Sequence, residues 1–150
     1  MKRLLCTILV LLLALSALPI GGYASETESE IVYFEDGTFL QITIVEYGTR
    51  ASGTKTATKT YEYSNDSGSV LWKGVLSGTF TYTGTSATCT ASSCSVTVYD
   101  SSWYQVSKTV GKSGNTANAT LTMGHKLLGV TITKKTVNMT LTCDPNGNLS

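Results

Sequence analysis

Val70-Leu71-Trp72-Lys73-Gly74-Val75-Leu76-Ser77-Gly78-Thr79-Phe80-Thr81-Tyr82 sorts its side chains by parity. Val70, Trp72, Leu76, Phe80 and Tyr82 hold even positions, while Lys73, Ser77, Thr79 and Thr81 hold odd ones. Successive side chains of a strand point to opposite faces, so this spacing predicts a strand with one face in a core and one in water. The pattern recurs on both sides. Upstream, residues 39–45 and 55–63 (KTATKTYEY) alternate likewise. Downstream, Ala87, Cys89 and Ala91 share one face of 85–91, and Cys94, Val96 and Val98 share one face of 94–99. Residues 103–110 (WYQVSKTV) follow, then 116–124 with Ala117, Ala119, Leu121 and Met123 together. Val130 and Ile132 share a face in 127–133; Val137, Met139, Leu141 and Cys143 share one in 136–143.

Turn chemistry separates these segments: Asn65-Asp66-Ser67-Gly68, Tyr82-Thr83-Gly84, Asp100-Ser101-Ser102, Gly111-Lys112-Ser113-Gly114-Asn115 and Asp144-Pro145-Asn146-Gly147. From Gly37 onward 23 of 114 residues are Thr, a β-branched residue stiff at its first torsion and suited to a pleated surface. Many short strands punctuated this regularly read as an all-β fold, an antiparallel β-sandwich of about eight strands.

The chain opens differently. Met1-Lys2-Arg3 precedes Leu4-Leu5-Cys6-Thr7-Ile8-Leu9-Val10-Leu11-Leu12-Leu13-Ala14-Leu15, with Pro19, Gly21 and Gly22 beyond it. A basic start, a short apolar run and a small-residue exit are the parts of a secretory signal. Small residues at Gly22 and Ala24 predict a signal-peptide helix over residues 1–24, cleaved after Ala24. A membrane span needs about 20 apolar residues, more than this run supplies before its helix breakers. The expected division is a signal peptide (1–24), an acidic flexible leader (25–36) and a β-sandwich domain (37–150). The exported chain carries no second apolar segment and no sorting motif at 144–150, so release from the membrane is expected.

Losing Lys2 and Arg3 leaves nine basic residues against ten acidic ones, a formal charge of −1. Nucleic acid is a poor partner for that balance. Five of the acids crowd residues 25–36, and residues 37–150 hold nine basic against five acidic. An acidic leader on a mildly basic domain could steer a partner or fold back on the domain, and it reads first as a solubilising tail.

Cys6 leaves with the signal, so Cys89, Cys94 and Cys143 remain, and export makes a disulfide chemically reasonable. Three thiols allow three single bridges. Cys89 with Cys94 would close a small hairpin loop, whereas Cys89 with Cys143 would close a long one. Loop entropy favours the longer closure modestly and leaves both open. A single His and no second close Cys pair give no basis for a zinc site, and no cofactor motif occurs.

Catalytic constellations are not found. His125, the sole histidine, stands in Met123-Gly124-His125-Lys126 between two predicted strands and reads as an exposed turn residue. Gly111-Lys112-Ser113 lacks the upstream Gly of a phosphate-binding loop, Val106 standing there. A glycosidase would need two acids flanking a cleft; Glu46 and Glu62 on neighbouring strands are the pair available. Among the aromatics, Trp72, Tyr82 and Trp103 belong with the predicted core. Tyr61 and Tyr63, sharing a face with Lys59, are the best candidates for an exposed ligand-binding surface. The expected function is therefore a secreted, non-enzymatic binding module for an extracellular glycan or protein. The alternative is a bacteriocin-like or toxin-type factor, and a small hydrolase comes third.

The body resembles a set of small exported proteins of Gram-positive bacteria that have no assigned activity. The residues that carry the resemblance are Thr58-Lys59-Thr60-Tyr61, Val70-Leu71-Trp72-Lys73, Thr79-Phe80-Thr81-Tyr82, Ser86-Ala87-Thr88-Cys89-Thr90, Tyr99-Asp100-Ser101-Ser102-Trp103, Lys112-Ser113-Gly114-Asn115-Thr116-Ala117 and Val137-Asn138-Met139-Thr140-Leu141-Thr142-Cys143. It covers roughly residues 55–150 and implies a Cys89–Cys143 pairing, with Cys94 as an unpaired or buried thiol. It implies no catalytic residue.

Overall fold

The computed structural model describes residues 25–47 and 53–150, with no side-chain description for residues 25–28. The expected signal helix lies outside the described residues. Eight strands occur within them: β1 (Ser25–Tyr33), β2 (Phe39–Tyr47), β3 (Thr54–Ser64), β4 (Val70–Tyr82), β5 (Ala87–Val98), β6 (Trp103–Ser113), β7 (Thr116–Leu127) and β8 (Val130–Thr142). Every pairing is antiparallel and joins sequence neighbours, giving a five-stranded sheet β1-β2-β3-β4-β5 and a three-stranded sheet β6-β7-β8. The chain is all-β.

The alternation that predicted β4 decides what is buried. Trp72, Leu76 and Phe80 are fully covered, as are Leu121 and Met123 of β7 and Met139 and Leu141 of β8. Inward residues of both sheets belong to one buried cluster. Gly78 lets them meet closely: a Cβ there would lie 2.6 Å from the Phe80 ring and 3.2 Å from Ala117 Cβ. At the β5–β6 side, Lys108 Nζ donates to the Cys94 carbonyl (2.7 Å) and Lys112 Nζ to that of Thr90 (2.6 Å). Two strand edges that would otherwise present bare backbone are tied there by lysines.

Turn residues act as their chemistry predicts. Asn65 Oδ1 accepts from Ser69 N at 2.8 Å, and Gly68 supplies a φ of +84° that other residues rarely adopt. Asp100 Oδ1 accepts from Ser102 N at 2.8 Å and so closes the turn into β6.

Three expectations need correction. Segments 85–91 and 94–99 fall in one strand, β5, and the strand expected over 127–133 begins at Val130 and runs on through the 136–143 segment as β8. In both cases the break in alternation is a bulge rather than a turn. Thr79 pairs with Ala91 but Phe80 with Cys89, so one extra residue on β5 turns Ala91 to the face opposite Cys89. Likewise His125 pairs with Thr133 and Lys126 with Thr131, which resets the parity of β8. Finally, residues 25–33 form β1, registered on β2 with Glu30 opposite Ile42 and Val32 opposite Leu40, so the acidic segment is not a free leader. Ile31, Val32 and Tyr33 favour a strand, and β2 offers an open edge to pair with.

Candidate functional site

Lys59, Tyr61 and Tyr63 do share one face of β3, but that face points inward. Tyr61 is 4% exposed and Tyr63 1%. The expectation that they form an exposed ladder is corrected. β3 is an interior strand whose odd row meets the second sheet, while Thr58 and Thr60 take the other face. Tyr63 stacks on Trp72 (5.1 Å between centroids, 15°), meets Trp103 edge-on and donates its hydroxyl to Thr38 Oγ1 at 2.9 Å. Tyr61 Oη lies 3.3 Å from the Thr140 amide and 3.5 Å from its carbonyl, bridging the two sheets. Burial pushes the Tyr61 phenol above its ordinary range, with the Thr140 amide pulling the other way. Both tyrosines hold the fold together.

Lys59 has a different position. It is half-buried and pairs across the sheet with Ile44, one row beyond Tyr61 and Ile42. Glu30, Ile42, Ile44, Lys59 and Ser150 line a shallow groove on this inward face. Its arrangement follows from strand register: Ile42 and Ile44 of β2 form the floor, Glu30 stands on the β1 side and Lys59 on the β3 side. Ser150 reaches the groove because its amide donates to the Thr142 carbonyl (3.0 Å) and its carbonyl accepts from Thr142 N (2.9 Å). An apolar floor between one acid and one base suits a ligand that carries both apolar and polar groups.

The remaining reactive side chains are spoken for. Glu46 sits on the inward row opposite Ala57 and pairs with Lys55 at 3.1 Å. Glu62 sits on the outward row and pairs with Lys73 at 3.7 Å. They occupy opposite faces of one sheet, so the paired-carboxylate version of a hydrolase is overturned. His125 is no turn residue: it lies within β7, half-buried, with its ring stacked on Trp103 (4.9 Å, 9°). Among the described residues no three His, Cys, Asp or Glu side chains gather as a metal site requires.

Cys89, Cys94 and Cys143 are thiols in the structure. A Cys89–Cys94 bridge conflicts with their place on the one strand β5, where five residues span about 16 Å against the ~7 Å limit for a disulfide. Cys89 and Cys143 are buried and dock on the same turn: Cys89 N donates to the Gly114 carbonyl (2.8 Å) and Cys143 N to that of Asn115 (3.1 Å). Burial raises both thiols above their usual range, which keeps them protonated and poor nucleophiles.

Comparison with protein-family models, with curated proteins and with solved structures finds no match to this chain. The groove thus stands on its own geometry. Lys59 is legible as a site residue in the sequence, whereas Glu30 joins it only because residues 25–33 pair with β2. The signal lies in Ile31-Val32-Tyr33, a β-branched and aromatic run that favours a strand.

Proposed function

We propose that the two sheets pack as a β-sandwich and that the chain is an exported, non-enzymatic binding module acting outside the cell. Its ligand is an extended segment of another protein, held in the groove between Glu30 and Lys59. The groove carries this reading, because its floor is two isoleucines one row apart on a strand, with opposite charges on its two sides. Such spacing matches an extended chain whose side chains alternate, and it offers no aromatic platform for stacking a sugar. Export is supported by the basic, apolar and small-residue order of residues 1–24.

In an exporting compartment we further expect Cys89 and Cys143 to pair. Two thiols would lose two protons and pass two electrons to a disulfide-bearing oxidant, leaving Cys94 free. Their shared dock on Gly114 and Asn115 supports this choice. Thiol counting by mass should find one reactive cysteine after oxidation; three would contradict the pairing.

Arrayed extended peptides and arrayed glycans, probed with the chain from Ser25 onward, test the ligand class. Peptide binding weakened roughly tenfold by Lys59→Glu is the expected result, since the positive charge that would meet an acidic group of the ligand is reversed. Binding to glycans alone would overturn the protein-ligand reading. Binding that ignores both Lys59→Glu and Glu30→Lys would remove the groove from the account.

A further inference from the structure

The β7–β8 hairpin ends in Leu127-Leu128-Gly129-Val130-Thr131-Ile132, and all four large apolar side chains are exposed: Leu127 59%, Leu128 97%, Val130 66% and Ile132 54%. Leu127 pairs with Val130, so Leu128 and Gly129 make a two-residue loop, and both have positive φ (+51° and +82°). A loop with two positive φ angles is the kind that Asn-Gly or Asp-Gly fills without strain. Leu128 is the only non-glycine residue with positive φ among the described residues. It takes a backbone conformation that leucine resists and recovers nothing by burial. Folding does not account for a leucine here.

Charge surrounds the tip with one sign. Residues 103–143, which span the whole β6-β7-β8 sheet, contain five lysines and no acid. Lys135 is engaged by Asp36 of the β1–β2 turn at 3.0 Å. Lys126 and Lys134, nearest the tip, pair with no carboxylate among the described residues. Lys126 instead rests on the Tyr104 ring at 4.2 Å, and Tyr104 Oη bonds Thr131 Oγ1 at 2.6 Å, which stiffens the base of the tip. β6 starts opposite His125, so the last turn of the hairpin has no strand beside it on that side.

We propose that this tip docks on an anionic lipid bilayer, sinking Leu127, Leu128, Val130 and Ile132 below the headgroups while Lys126 and Lys134 meet the phosphates. Four side chains on a hairpin loop cover far less than the ~800 Å² per partner that a stable protein contact needs, whereas a bilayer accepts a narrow apolar wedge with a basic collar. The proposal is independent of the groove, which lies on other strands. It also differs from a lipid anchor or a membrane span, since the attachment is interfacial and reversible.

Vesicle flotation tests it, using the chain from Ser25 onward, which contains all eight strands. Wild type should float with phosphatidylcholine–phosphatidylglycerol vesicles, weaken as salt rises and stay in solution with phosphatidylcholine alone. Leu128→Asn suits the loop's backbone better, so its melting temperature should not fall, yet its partitioning should drop by roughly tenfold. Lys126→Gln with Lys134→Gln should lower partitioning to anionic vesicles and flatten its salt dependence. Equal partitioning of wild type and Leu128→Asn, or no flotation of wild type, would overturn the proposal. So would wild-type self-association that Leu128→Asn abolishes, because the tip would then be a contact between copies of the chain.

Discussion

The two ends of the β7–β8 hairpin use the same ladder and similar side chains to opposite effect. At its base, Ala117, Leu121, Leu141 and Cys143 are fully covered; at its tip, Leu127, Leu128, Val130 and Ile132 face water. The base lies beneath β3 and β4, whose inward rows supply Tyr61, Leu76 and Phe80 to the shared core. The tip has no such lid. Leucine on a strand therefore says little about burial until the opposing sheet is placed, and the surplus at the tip calls for a partner outside the fold.

The largest effect should come from the base. Leu121→Ala empties space between Gly74 and Met139 and should cost about 2–5 kcal/mol in denaturant unfolding. A loss below about 1 kcal/mol would mean that the sheets pack less closely than described. Gly78→Ala adds one methyl where the Phe80 ring and Ala117 already stand, and should cost about 1–3 kcal/mol. A neutral result would show that Phe80 moves aside freely.

A smaller effect concerns the ion pair that ties β8 to the β1–β2 turn. Hydrogen bonds from Thr38, then the Lys135 ammonium, hold the Asp36 carboxyl at about 2. Its ordinary unfolded value is about 3.9. A depressed carboxylate contributes stability that is whole above the unfolded value and disappears as pH falls toward the folded one. Stability of wild type relative to Asp36→Asn should therefore shrink between about pH 4 and pH 2. Asp100 and Asp144 are lowered too, by bonds within their own turns, so this difference between the two proteins is what isolates Asp36. Parallel curves would remove the Asp36–Lys135 pair from the account.

Much of this was legible from side-chain order. The parity of 70–82 identified β4 and its buried face, and Asn65–Gly68 and Asp100–Ser102 marked turns by chemistry that works locally. What parity does not encode is a bulge. One extra residue near Thr90 and another near Ile132 each invert the pattern, and an inverted pattern is indistinguishable from two strands with a turn between. Nor does parity say which face of a strand is inner when both carry polar groups. Alternation groups Lys59, Tyr61 and Tyr63 on one face, but only the neighbouring strands decide that their row faces Thr140 rather than water. The groove was hidden for a related reason, since Glu30 joins it only once β1 is paired to β2.

The central contrast is that apolar residues at the base of the hairpin serve folding and those at its tip do not. Denaturant unfolding of Leu128→Asn beside Leu121→Ala measures it directly. Leu128→Asn should leave the unfolding free energy unchanged or raise it by up to about 1 kcal/mol, because the backbone strain of a left-handed leucine is relieved. A loss approaching that of Leu121→Ala would contradict it, and would place the tip inside the folding core.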